Sequence, residues 1–152
     1  MDSNKSLLKN GRFWSVIVLL IILIFGGKSW YNNRAIDPTK DINITFAGKN
    51  GSGYIKNLDQ YYSKVSDNID KAFARKDGIS NSDLKAIQHS RSIPKKLTSK
   101  AKLFHAQKKS MTVKFSKTKN LKNNEVIQII VNSKMANIPV KHINRDITVS
   151  GL

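Results

Sequence analysis

An apolar run near the start of the chain constrains everything that follows it. Residues 13–27 read Phe13-Trp-Ser-Val-Ile-Val-Leu-Leu-Ile-Ile-Leu-Ile-Phe-Gly-Gly27, without a charged side chain, behind Lys5, Lys9 and Arg12. A basic head before an uncharged run is the pattern of a signal peptide or of a membrane anchor. Fifteen residues make about 22 Å of helix, short of a hydrocarbon core of about 30 Å. Counting on to Tyr31 brings the length to about 28 Å, with the Lys28 ammonium snorkelling to the surface. Trp30 and Tyr31 then fall at the headgroup level, where amphipathic rings collect.

A cleaved signal fits poorly, because Gly27-Lys28-Ser29 sets a lysine between the small residues of its only cleavage-like site. The chain has no cysteine, so lipid attachment through a cysteine is excluded. A buried helix of a soluble domain would show a polar face, and residues 16–26 show none. The expectation is therefore a retained anchor with Arg12, Lys28, Trp30 and Tyr31 at its two membrane interfaces. Residues 1–12 form a basic cytoplasmic head, 13–31 the transmembrane anchor, 32–41 a stalk and 42–152 an extracytoplasmic domain. The head has three basic residues against Asp2, and no second apolar run returns the chain. Longer domains cross largely regardless of their charge. The expected placement is the cell membrane, single-pass, with the N-terminus cytoplasmic and the C-terminal domain extracellular.

About 120 residues beyond the anchor suffice for one small domain with a core. The absence of cysteine removes disulfides and thiolate metal sites, and suits a Gram-positive cell envelope. Charge is the second strong constraint. The chain has 27 basic and 10 acidic side chains, a net of +17, of which +15 lies past the span. Such a cation attracts polyanions over long range and in a salt-sensitive way. Inside a cell the partner would be nucleic acid. Outside a Gram-positive membrane it would be teichoic acid or anionic lipid, and nucleic acid is disfavoured. A basic surface that only keeps the domain soluble is the plain alternative.

Along the domain, Ile42, Ile44 and Phe46 alternate as in a half-buried strand, and Asn50-Gly51 favours a tight turn, so residues 42–56 are expected to form a hairpin. Leu58, Tyr62, Val65, Ile69 and Phe73 then recur at helical spacing up to Asp77-Gly78. Asn81 or Ser82 would cap a second helix holding Leu84 and Ile87, closed by Ile93-Pro94. Residues 95–110, dense in lysine, are expected as a mobile or surface-lying connection. Strands are expected over 111–116, 125–131 (central), 138–140 (a short edge strand limited by Pro139) and 146–150, with a turn at 120–124.

Three phrases in this pattern carry a resemblance: Phe46-Ala-Gly-Lys-Asn-Gly-Ser-Gly53, Asn120-Leu-Lys-Asn-Asn-Glu-Val126 and Ile147-Thr-Val-Ser-Gly-Leu152. In order and rough spacing, residues 41–152 resemble the uncharacterised extracytoplasmic β-domain of membrane-anchored proteins of lactobacilli, streptococci and related Gram-positive bacteria. Those proteins often bear a zinc ribbon, which this chain lacks. Asn124 and Glu125 stand where the family pattern has glycine and aspartate. Relatives often continue into another domain, so the resemblance implies a minimal or truncated member. It also implies an Ig-like fold and supplies no activity. The expected class is thus α+β: one N-terminal transmembrane helix followed by a β-rich, Ig-like sandwich domain with a helical insertion near 58–93.

Catalytic chemistry finds little footing. His89, His105 and His142 match no metal spacing, no Gly-x-Ser-x-Gly elbow is present, and the acids are scattered, with Asp37/Asp41 and Asp67/Asp70 as the nearest pairs. Gly27-Lys28-Ser29 echoes a phosphate-binding loop without its leading glycine. No enzyme, cofactor or metal is expected. What remains is basic: Lys95, Lys96, Lys100, Lys102, Lys108 and Lys109, broken by Leu97, Leu103 and Phe104, then Lys114, Lys117, Lys119 and Lys122. Lysines near anionic lipid gain about 1 kcal/mol each, and apolar neighbours can dip into the interface. The expected function is a non-enzymatic single-pass envelope protein whose basic domain binds anionic wall polymer, lipid headgroups or a protein partner. The alternative is an accessory or immunity-type factor beside a membrane exporter, such as a bacteriocin secretion system.

Overall fold

The computed structural model describes residues 11–90 and 93–152, and in the first helix the side chains of 18–23, 26, 27 and 29–33. The expected head, with Lys5 and Lys9, and the side chains of Arg12 and Lys28 lie outside the described residues. The chain divides into two compact units, Met1–Arg34 and Ala35–Leu152.

The first unit contains helix α1, Gly11–Asn33. Its described apolar side chains are uncovered, between 47% (Ile21) and 66% (Leu23) exposed over Val18 to Leu23, as are Trp30 and Tyr31. Arg34 closes the unit with its guanidinium 5.7 Å from the centre of the Trp30 ring. Among the described residues, no helix is long and apolar enough to cross a membrane. The span expected over 13–31 draws on side chains outside that description.

The second unit is a mixed α+β domain. Its strands are β1 (Phe46–Ala47), β2 (Gly53–Ile55), β3 (Met111–Phe115), β4 (Lys119–Leu121), β5 (Val126–Ser133) and β6 (Ile143–Thr148). Its helices are α2 (Leu58–Lys76), α3 (Asn81–His89) and α4 (Thr98–Ser110), the last entered through a 3-10 turn at Lys95–Leu97. The strands form two antiparallel three-stranded sheets, ordered β1-β2-β4 and β3-β5-β6. β5 is central, and its Ile127, Ile129 and Val131 turn inward with the period of two that the sequence announces.

Helix α2 is part of the core rather than an insertion on it. Tyr61, Val65, Ile69 and Phe73 are buried at helical spacing. The Tyr61 and Tyr62 rings lie 5.0 and 5.9 Å from Phe115 of β3, so a helix covers this sheet where they meet. Tyr61 is fully buried and Tyr62 only partly, reversing the expected order within the stripe. The helix stops at Gly78 (φ 60°), after which the Ile79 amide donates to Ala74 O and Ile79 packs inside, a Schellman closure. Ser80, not Asn81 or Ser82, caps α3 by accepting from the Asp83 amide at 3.1 Å.

Several expectations are corrected. Residues 35–41 of the expected stalk belong to the domain unit, and 32–34 to the first unit: Ile36 bridges Val140, Pro38 and Thr39 are buried, and the Asp37 carboxylate accepts from the Thr39 amide (2.8 Å) and hydroxyl (2.7 Å). That single parallel bridge replaces the edge strand expected over 138–140. Residues 95–110 are an ordered helix, because Leu97, Ala101, Phe104 and Gln107 make a buried stripe that the intervening lysines obscure. Phe73 and Phe104 meet edge to face at 6.4 Å and lock α4 against α2. Part of the expected turn at 120–124 is strand β4, with Asn120 and Asn124 at φ 54° and 65° on either side of its end.

The hairpin over 42–56 forms with only two ladder pairs, Phe46↔Ile55 and Ala47↔Tyr54. The Asn57 side chain extends it by accepting from the Thr45 amide and donating to Asn43 O, both at 3.0 Å. The three family-like phrases meet at this end of the molecule. The Gly51 amide donates to Leu121 O, and the Asn123 amide to Asn50 Oδ1, both at 2.9 Å. The Asn123 side chain then grips the Leu152 backbone, donating to its O at 2.9 Å and accepting from its amide at 3.1 Å. A Cβ on Gly53 would strike the Leu152 side chain and lie 3.1 Å from Leu121 O. These residues have a structural task.

Candidate functional site

The lysines singled out in the sequence divide into two sets. Lys95 and Lys96 lie on the 3-10 turn, and Lys100, Lys102, Lys108 and Lys109 on α4. The buried stripe on α4 turns Lys102, Leu103, His105, Ala106 and Lys109 to the outside. Lys95, Lys96, Lys102 and Lys109 are exposed, as is Lys114 on the outer face of β3. The first turn of α4 contains no acidic residue and no side-chain cap, so its positive amide end stands beside Lys95 and Lys96.

The other three candidates are engaged within the fold. Lys100 Nζ donates to Gly78 O at 2.7 Å, a cation at the C-terminal end of α2. Lys117 Nζ lies 2.6 Å from Glu125 Oε1, and this hydrogen bond, with the Lys122 amide, lowers the Glu125 pKa. Lys108 Nζ lies 2.7 Å from Asp70 Oδ2. The apolar residues expected to dip into lipid are also mostly committed: Leu97 and Phe104 are in the core, and only Leu103 is exposed, at 44%.

A feature not visible in the sequence is the cleft where α2, α3 and α4 converge. It has a volume of about 420 Å3 and is lined by Asp70, Gln88, His89, Phe104, His105 and Lys108 among others. Asp70, one of the scattered acids of the sequence, is 2% exposed. Gln88 Nε2 and Lys108 Nζ both donate to its Oδ2 at 2.7 Å, while Oδ1 has no partner. The cleft brings together His89 and His105, sixteen positions apart in the chain. Among the described residues, no group of three His, Cys, Asp or Glu side chains could hold a metal ion. The only available signal was an aspartate inside the Ile69–Phe73 stripe, at a position where burial demands a partner.

Tyr61 is the other buried polar group near the sheet. Burial pushes its phenol up to about 12, and its hydroxyl faces Thr39 without reaching hydrogen-bond geometry. No protein-family model matches the chain, and neither a curated protein nor a solved structure matches it.

Proposed function

We propose that this is a non-enzymatic, single-pass envelope protein whose domain lies outside the membrane and binds anionic wall polymer. The observation that carries the reading is the ordered lysine ridge. Burial of Leu97, Ala101 and Phe104 turns Lys102 and Lys109 outward along α4, with Lys95 and Lys96 at its uncapped N-terminal end and Lys109 in its last turn. A rigid ridge presents charge at a smaller entropic cost than a floppy loop. The net +15 past the span supplies the long-range attraction. The uncovered apolar side chains from Val18 to Leu23 favour an anchor in lipid. Two antiparallel sheets are compatible with the Ig-like part of the family resemblance, and the helix against Phe115 departs from it.

The test is co-sedimentation of the full chain with purified teichoic acid at graded salt, alongside anionic and neutral vesicles. Binding should weaken steeply with salt. Replacing Lys95, Lys96, Lys102 and Lys109 together by alanine should weaken it about tenfold or more. Equal binding by this variant would refute the ridge, and preference for anionic vesicles over polymer would move the site to the membrane surface.

A further inference from the structure

Strand β3 ends its sheet with an unpaired edge, and the ladder register identifies which groups are free. The Ser116 amide donates to Gln128 O, and the Lys134 amide to Ser110 O. With Phe115 opposite Ile129 and Met111 opposite Ser133, the hydrogen-bonded pairs fall on even-numbered residues of this strand. Thr112 and Lys114 therefore direct their backbone groups at β5. The N–H and C=O of Val113 and Phe115, and the C=O of Met111, point the other way. The Met111 amide is occupied in closing α4, where it donates to Lys108 O. No hydrogen bond reaches the backbone of Val113 or Phe115 from that side among the described residues.

The same side chains line a groove. Met111 and Val113 face α2 across a hollow of about 280 Å3, together with Tyr62, Ser66, Ile69 and Lys108. A strand added to β3 would extend the sheet under α2 and seat alternate side chains in this hollow. The opposite edge of the sheet is different. On β6 the groups facing outward belong to Asn144, Asp146 and Thr148, and exposed Arg145 and Asp146 flank them. These charges are of both signs, so the β6 edge does not select a partner strand of one charge.

We infer that the β3 edge is a docking site for an extended segment of another protein, apolar at alternate positions and acidic between them. Charge selects this occupant. Lys114 is exposed on the outer face of β3 itself, between Val113 and Phe115, and no ion pair among the described residues engages it, whereas the Lys108 ammonium at the groove is already paired with Asp70. A second copy of this chain would set its own Lys114 and its own +15 against this cation. An acidic strand instead places carboxylates on the outer face, next to Lys114.

The test uses the full chain in detergent micelles with a short capped peptide alternating valine and glutamate. Amide hydrogen exchange is read by NMR. The peptide should slow exchange at Val113 and Phe115 about tenfold or more and leave Asn144 and Asp146 unchanged. Val113→Pro deletes the central donor without touching the β5 ladder, so it should abolish the protection while β5 stays protected. Lys114→Glu should reverse the preference toward a valine–lysine peptide, providing a second reading if the proline variant does not fold. Teichoic acid binding should be unaffected by Val113→Pro, which separates this surface from the lysine ridge. Unchanged exchange at Val113, equal binding of the valine–lysine peptide by the unaltered chain, or dimerisation through β3 would each overturn the inference.

Discussion

Lys108 on α4 places its Nζ 2.7 Å from Asp70 Oδ2 on α2, and the aspartate it meets is 2% exposed. One of the lysines that looked most available for a ligand is therefore a tie between two helices. Its ammonium also stands 6.0 Å from the Phe104 ring centre, which adds to the same junction. Removing it would leave a buried carboxylate with Gln88 as its remaining donor. Breaking a fully buried pair costs about 3–5 kcal/mol. Because the Lys108 side chain is 44% exposed, the expected loss for Lys108→Ala is smaller, about 2 kcal/mol. Lys102→Ala and Lys109→Ala should stay within about 0.5 kcal/mol. Urea unfolding of the three variants would check this, and equal midpoints would contradict it.

Tyr61 makes a prediction in alkaline solution. Its phenol stands at about 12 in the fold against 10.0 for a free tyrosine. Between these values the unfolded chain has lost this proton and the folded chain retains it. Stability from this group is thus complete below pH 10.0 and disappears as pH rises toward about 12. The loss is about 2–3 kcal/mol at one pKa unit per 1.36 kcal/mol. Tyr61→Phe should unfold less steeply over this interval. It should also be no less stable at pH 7, since the hydroxyl it removes has no partner. Thermal melts at pH 7, 9, 10 and 11 on both proteins would show whether the difference opens only above pH 10.

The contact between Gly53 and Leu152 should behave as one unit. Gly53→Ala drives a methyl against the Leu152 side chain and crowds Leu121 O. The expected cost is about 1–3 kcal/mol, as for overpacking. Leu152→Ala removes the colliding carbons, so Gly53→Ala should cost less in that background, with a coupling of at least about 0.5 kcal/mol. Strictly additive effects in a double-mutant cycle would refute the contact.

Phe104→Ala tests whether α4 is a core helix. Phe104 is 1% exposed and packs on Phe73 at 6.4 Å. A loss of about 3–5 kcal/mol is expected, against little for the exposed neighbour Leu103→Ala. Circular dichroism with urea titration would measure both. Similar small effects would return residues 95–110 to the status of a surface connection.

The sequence by itself determined the local elements with strong periodicity. Alternation in β5 and the four-residue spacing of Val65, Ile69 and Phe73 depend only on backbone geometry, so both elements were legible and are observed. The basic excess and the exposed apolar run from Val18 to Leu23 are likewise properties of composition. Helix α4 was not legible, because its inward face is built from Leu97, Ala101, Phe104 and Gln107, only two of them large and apolar. The fate of each lysine was decided by tertiary structure alone. Asp70 and Lys108 are thirty-eight positions apart, and only the packing of α2 on α4 brings them to 2.7 Å. The free edge of β3 depends in the same way on sheet order, which no local pattern specifies. Spacing reports which way a residue faces along its own element. What it faces, and whether its charge is left over for a ligand, follows from how the elements pack.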